Sequence, residues 1–234
     1  MKKVLILVLS SNKHPYDVMI DTQMSTWDSF EVDGTQTIFY CGDPVKDNTD
    51  KIIYFPIKEE YSTMGHKALL AFDWCLNNKE FDYIARVHSS TYVDKKELIK
   101  FVQTLPENNV FAGAIVKDKK DFLWGGAHFI LSKDVVQKII DNKQSWNHSV
   151  MEDVAMSHLV SDLGIEFSEG RSCSIDNMGT TWRAMCYGGE KECFLFNDFN
   201  ELKKLNNQFF YRVKQDGKRE VDKYLMEQLF NVLS

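Results

Sequence analysis

Several signatures of familiar chemistry are missing from these 234 residues. There is no GxGxxG and no GxxxxGK[ST], so neither a dinucleotide fingerprint nor a P-loop is present. There is no GxSxG and no HExxH, which removes the nucleophile elbow and the helical zinc pair. The cysteines, Cys41, Cys75, Cys173, Cys186 and Cys193, form no CxxC, and the six histidines do not pair at metal spacing. A zinc knuckle therefore has no support. An odd cysteine count without a clear export signal favours free thiols in a reducing compartment. The net charge is -6 and no long basic run occurs, which argues against a nucleic-acid groove. No apolar stretch reaches the ~18–20 residues of a membrane span. The start, "MKKVLILVLSSNKHP", imitates a secretory leader, but its apolar part runs only from Val4 to Leu9. No small-residue cleavage site follows cleanly, so a first β-strand and a cytoplasmic chain are expected. Repeats, low-complexity tracts and linkers are also absent.

What is present is the alternation of an α/β protein. With 44% hydrophobic residues, a chain of this length buries roughly 70–75% of its unfolded surface. "KVLILVLS" is a continuous apolar run, the mark of a strand covered on both faces. Tyr16 to roughly Phe30 has helical spacing through Val18, Met19, Met24 and Trp27. "QTIFYCG" and "KIIYFP" are short β-rich runs closed by Gly42 and Pro56. "STMGHKALLAFDWCLNN" predicts a helix capped by Ser62. "YIARVHSSTYVD" is a strand, and Asp94, three residues before Glu97, starts the next helix as a capping box. "NVFAGAIV" is a further strand, and "FLWGGAHFILS" is glycine-broken β structure running into a helix capped by Ser132. "SVMEDVAMSHLVSDLG" is a helix with Ser149 as cap, Glu152 as box partner and Gly164 as stop. Residues 165–200 read as irregular and polar, with Gly170, Gly179, Gly188 and Gly189. The chain ends in a strand, "QFFYRVK", and a helix. One domain with a mostly parallel sheet is the economical architecture.

Four segments could carry chemistry. In "RVHSSTYVD", Arg86 lies late on a strand and His88, Ser89, Ser90 and Thr91 stand at its mouth. Their side chains can hydrogen-bond phosphate or ribose oxygens, although serine is also ordinary in a strand-to-helix turn. In "WGGAHFILS", Gly125 and Gly126 mark either a tight bend or a close approach to the backbone. In "SVMEDVAM", Asp153 is the better candidate general base, because Glu152 has a capping duty. A first-turn acid placed for the helix dipole is the ordinary alternative. In "YRVKQDGKRE", Arg212 and Lys214 alternate onto one face, where they suit an anionic ligand or simply meet solvent.

These pieces, in this order, resemble the GT-A glycosyltransferases, and most of all the β-1,3-galactosyltransferase and Fringe group. "TQMSTW" resembles that group's "RETW"-type motif. "EEYSTMGHKALLAFDWCLNNKEFDYIARV" resembles its helix and the strand leading to the DxD motif. "WGGAHFILSKDVV" resembles its "GGGYVLS" segment, and "MEDVAMSHLVSDLGI" its "EDVYVG…LGI" helix. The match spans about residues 1–170. The ending "FFYRVKQDGKREVDKYLMEQL" is similar to that of small glycosyltransferases of large DNA viruses and some bacteria.

The resemblance implies a single Rossmann-like domain with a central, mostly parallel mixed sheet flanked by helices. Its nucleotide-binding half would be about 1–95 and its acceptor and catalytic half about 96–234. It implies a nucleotide-sugar donor, a UDP-sugar, and inverting transfer to a hydroxyl of a glycan or glycoprotein. Asp153 matches the base, Ser10 and Ser11 follow the nucleotide-binding first strand, and Gly125 and Gly126 match the glycines near the donor sugar. The family's Mn²⁺ or Mg²⁺ is implied too, but its aspartates are replaced by His88, Ser89 and Ser90. Its C-terminal histidine is replaced by Phe209 or Phe210. Only His88 remains as a candidate ligand, and both ions prefer carboxylates. Direct hydrogen bonds from the strand end, with Arg212, Lys214 and Arg86 neutralising the diphosphate, are therefore favoured over a metal. A retaining, metal-dependent transferase and a non-catalytic sugar- or nucleotide-binding module of the same fold are the alternatives. Trp124, Trp146 and Trp182 could stack on a sugar, and the acceptor is expected within residues 165–200.

Overall fold

The computed structural model describes the chain apart from residues 127, 189–192, 206–207 and 216–218. Gly189 therefore lies outside the described residues. The first strand, β1 (Val4–Leu9), is buried along its whole length. Its side chains alternate: Val4, Ile6 and Val8 join one apolar layer, and Leu5, Leu7 and Leu9 the other. That is the period of two expected of a strand covered on both sides.

β1 pairs in parallel with β2 (Thr35–Gly42) and β4 (Tyr83–His88), and β3 (Ile52–Phe55) extends the row in parallel beyond β2. The sheet then turns mixed. β8 (His128–Ser132) runs antiparallel to β4, β6 (Phe111–Val116) antiparallel to β8, and β7 (Phe122–Trp124) antiparallel to β6. β9 (Phe167–Glu169) pairs in parallel with β6 and completes eight strands.

Helices α2 (Met64–Asn78), α4 (Lys133–Asp141) and α5 (Glu152–Asp162) feed apolar side chains into the layer on one face of this sheet. The other face meets α1 (Asp17–Ser25), α3 (Lys95–Thr104), α6 (Arg219–Leu233) and a second sheet. That sheet has five strands, ordered β12 (Cys193–Phe196), β11 (Trp182–Tyr187), β10 (Ser172–Asn177), β13 (Phe210–Arg212) and β5 (Thr91–Val93). The whole is a Rossmann-like α/β fold of the GT-A kind. No helix among the described residues is long and apolar enough to cross a membrane.

Several local expectations are corrected. The described residues of 165–200 are not irregular: most lie in β9 to β12, whose inward positions include Cys173, Ile175, Ala184 and Cys186. Cys173 and Cys186 face each other across β10 and β11 and are joined in a disulfide, so not all thiols are free. Ser62 does not cap α2; it lies in a 3-10 turn, Tyr61–Thr63, closed by a reciprocal box between Glu60 and Thr63. The Ser132 hydroxyl donates to the Asp134 carboxylate (2.6 Å) rather than capping α4. The Ser149 hydroxyl donates to Asn147 Oδ1 (2.6 Å), α5 starts at Glu152, and no capping box forms. Asp94 does cap α3, accepting from Glu97 N at 3.0 Å, but its own N–H donates to Phe209 O (2.9 Å), so the reciprocal half of the expected box is not made. Gly164 ends α5 with φ +74°, a conformation that glycine adopts without strain. The first helix is shorter than its spacing suggests, ending at Ser25.

Candidate active site

The strand mouth "HSST" is a crossing between sheets. β4 ends at His88, two residues follow, and β5 begins the second sheet at Thr91. Three neighbours pin this crossing. Ser89 N donates to Leu9 O (3.1 Å), Val213 N donates to Ser90 O (2.9 Å), and Gln23 Nε2 donates to His88 O (3.2 Å) and Thr91 O (3.0 Å). A cleft of about 520 Å³ opens outside the carboxyl ends of β1 and β4. Ligands of open α/β sheets bind in this position.

One wall follows β1 with Ser10, Ser11 and Lys13, and the segment before α2 adds Glu59 and Tyr61. The facing wall is the turn Gly125–Gly126 and the start of α5, with Glu152 and Asp153. Arg212, Lys214 and Arg219 close the cleft from the C-terminal segment.

Both glycines are required by close approach. A Cβ on Gly125 would lie 2.7 Å from Asp153 Cβ and 2.8 Å from Phe129 Cζ. A Cβ on Gly126 would lie 2.4 Å from the Trp124 ring and 2.8 Å from Arg212 Nη1. Their absence lets the Arg212 guanidinium sit 4.5 Å from the Trp124 ring centroid, a cation–π contact. Gly125 N donates to Asp153 Oδ2 (3.1 Å) and Val154 N to Oδ1 (2.9 Å). Each carboxylate oxygen thus takes one backbone donor and keeps room for another.

Arg86 differs from its expected role. It is wholly buried and does not line the cleft. Its Nη2 donates to Glu152 Oε2 (2.6 Å), and its Nη1 to Gly125 O (3.2 Å) and His88 Nε2 (2.9 Å). Since guanidinium only donates, His88 Nε2 accepts, and the ring proton sits on Nδ1. Burial lowers the His88 pKa well below the usual imidazole range, and Arg86, Arg212, Lys214 and Lys67 push the same way. His88 is therefore a neutral donor. Burial raises the Glu152 carboxyl, against the pull of Arg86. Glu152 Oε1 is buried without a hydrogen-bond partner.

The strand end does not fit a divalent cation. The His88 lone pair is engaged by Arg86, its neighbours are hydroxyls, and four cationic side chains surround it. No group of three or more His, Cys, Asp or Glu is placed to hold a metal among the described residues.

Ser10, Ser11, His88, Ser89, Ser90, Gly125, Gly126, Glu152, Asp153, Arg212 and Lys214 thus meet in one cleft, with Arg86 beneath it. Sequence reasoning missed Lys13, Lys67, Glu59 and Arg219. Lys67 is buried, donates to Ser10 O (2.9 Å) and pairs with Glu59. Its signal was its place on the buried face of α2, four residues before Ala71. Arg219 stacks on Tyr16, 4.6 Å from the ring centroid, and pairs with Asp222. Of the tryptophans, Trp124 lines the cleft, Trp146 a neighbouring groove, and Trp182 packs on Phe199 away from both. No described residue of 165–200 lines either cavity.

No protein-family model matches this chain, and no curated protein matches its sequence. Solved structures do. A glycosyltransferase involved in glycosylation of the major capsid of PBCV-1 superposes with a TM-score of 0.58 and 11% identity, over 96% of this chain and 98% of that one. Weaker matches are the glycosyltransferase GlyE of Streptococcus pneumoniae TIGR4 (TM-score 0.45, 13% identity, 73% of this chain and 45% of that one) and the mannosyltransferase PcManGT of Pyrobaculum calidifontis, in complex with GDP-Man and Mn²⁺ (TM-score 0.46, 12% identity, 72% and 55%). At such identities the likeness is one of fold, and it is the first match, near full length on both sides, that defines it. The likeness to the β-1,3-galactosyltransferase and Fringe group rests on the sequence motifs alone.

Proposed function

We propose that this chain is a glycosyltransferase that moves a sugar from a nucleotide-sugar donor, a UDP-sugar, to an acceptor hydroxyl with inversion. Asp153 acts as the general base. The acceptor oxygen forms a bond to the anomeric carbon from the face opposite the diphosphate. The bond from that carbon to the phosphate oxygen breaks, and its electron pair leaves with the nucleoside diphosphate. The acceptor proton passes to Asp153. Arg212 and Lys214 neutralise the charge that grows on the leaving group, the largest demand of such a step. Ser10, Ser11, Ser89 and Ser90 hydrogen-bond the donor, and neutral His88 offers Nδ1–H. Arg86 has a supporting role: it holds Glu152 and the Gly125 turn, and so the wall that carries Asp153. Residues 1–95 supply most of the donor half and 96–234 the catalytic half, with the C-terminal cations reaching back to the donor.

The observation that carries this reading is one cleft lined both by the cations Lys13, Arg212, Lys214 and Arg219 and by the carboxylate of Asp153. It stands at the sheet position where α/β enzymes bind nucleotides. The test is a calorimetric titration with UDP, with and without Mn²⁺, in metal-stripped buffer. Equal binding in both is expected. Binding only with Mn²⁺ would overturn the metal-free neutralisation, and no binding of UDP would overturn the uridine donor.

A further inference from the structure

A second cavity, of about 270 Å³, adjoins the cleft and shares Tyr61, Met64, Met151 and Glu152 with it. It runs between the 3-10 turn at Tyr61–Thr63 and the segment leading into α5. Just after the turn, the first residues of α2 approach Trp146 closely because position 65 is glycine: a Cβ there would lie 2.8 Å from Trp146 Nε1. The two cavities differ in charge. Lys13, Lys67, Arg212, Lys214 and Arg219 line the cleft, while no lysine or arginine among the described residues lines the groove. A diphosphate belongs in the first and a neutral ligand in the second.

The groove also has a distinct chemistry. Tyr61 is 75% exposed and turned to solvent at its edge. Trp146 and His148 line it, and His148 stacks on His66 with ring centroids 3.7 Å apart. Ser62 and Ser149 add hydroxyls. At the boundary stands Glu152, with Oε2 held by Arg86 and Oε1 buried without a partner. An unpartnered buried carboxylate oxygen is costly and calls for a donor. A sugar ring offers what these groups lack: C–H faces for aromatic walls and hydroxyls for the carboxylate. The volume falls just under the ~300–1,000 Å³ of sites for drug-sized ligands, which suits one ring.

We infer that this groove is a subsite for a neutral pyranoside, the terminal ring of the acceptor. The assignment as acceptor rests on the transferase reading; the carbohydrate specificity does not. The groove meets the cleft at Glu152, next to Asp153, so a ring seated there presents a hydroxyl toward the base. It also moves the acceptor away from residues 165–200, where it was expected.

The experiment uses saturation-transfer NMR on the full chain with a panel of neutral methyl pyranosides, alongside UDP titration. Ser62→Trp and Ser149→Trp each place bulk into the groove from exposed positions that do not line the cleft. The wild type is expected to transfer saturation to at least one methyl pyranoside. Both variants are expected to lose that signal and keep wild-type affinity for UDP. If a tryptophan lowers the melting temperature, His148→Ala tests the same wall. Transfer that persists in folded variants, or a wild type that binds UDP and none of the glycosides, overturns the subsite. Glycoside binding that the variants abolish, in a chain that binds no nucleotide, keeps the subsite and sinks the transferase reading instead.

Discussion

A carboxylate that takes a proton during catalysis must be held still and left partly unpaired, and Asp153 meets both conditions through two backbone donors. Asp153→Asn keeps the shape and removes the proposed base. Turnover is expected to fall about 10²–10⁴-fold, with UDP affinity unchanged by calorimetry. A binding module of the same fold would show no turnover to lose. Gly125→Ala drives a methyl to within 2.7 Å of Asp153 Cβ. It is expected to lower kcat more than it weakens UDP binding, which steady-state kinetics and titration separate. Arg212→Ala is expected to weaken UDP by roughly tenfold or more, the worth of a charged hydrogen bond. At this scale the sequence was legible where a residue's partners are local. Asp94 and Glu97 are neighbours on one helix turn, and the cap is there. Glu152 was misjudged because Ser149 stands at capping distance, while its true partner, Arg86, is 66 residues away. No local pattern encodes that pair. Arg86 itself looked like a ligand-binding cation on a strand end, yet its charge is spent inside the protein.

Elements were legible where one period dominates. β1 is apolar on both faces, and α3 carries its cap in plain view. The second sheet was hidden by its glycines and polar outward positions, although Cys173 with Ile175 and Ala184 with Cys186 keep a period of two. Such short strands are recognisable once a neighbour fixes which face is inward. The sheet's disulfide closes a loop of sequence separation 13. In the loop-entropy picture a loop of this size contributes about 3 kcal/mol. Reduction, or Cys173→Ala with Cys186→Ala, is expected to lower stability by up to about that much in urea titration. Because β10 pairs with β13, the same change is expected to loosen Arg212 and weaken UDP binding. An outcome with stability lowered and UDP affinity intact would show that β5 alone holds β13 in place.

At the scale of the whole molecule, His128 sets an acid limit. It lies between the two sheets, wholly buried against Phe209 and Phe210, with no hydrogen-bond partner on either ring nitrogen. Burial lowers its pKa to about 3. The unfolded chain, with an ordinary imidazole near ~6.5, binds more protons between those values. Stability is therefore expected to fall as pH drops below ~6.5, by up to about 1.4 kcal/mol per pH unit from this group. Denaturant melts across pH 4–7 check it, and His128→Leu should flatten part of the slope. The rings of Phe209 and Phe210 pack against His128, which stands on β8 of the other sheet. The order of assembly follows from where β13 sits. It is the penultimate element in the chain but lies inside its sheet, between β10 and the edge strand β5. A chain emerging from the ribosome must carry β5 and β10 with open edges until residues 208–213 arrive. Arg212, proposed to bind the donor's diphosphate, is thus delivered by the same strand that covers those edges, so a nascent chain shows open strands until the residues that complete the proposed donor site arrive.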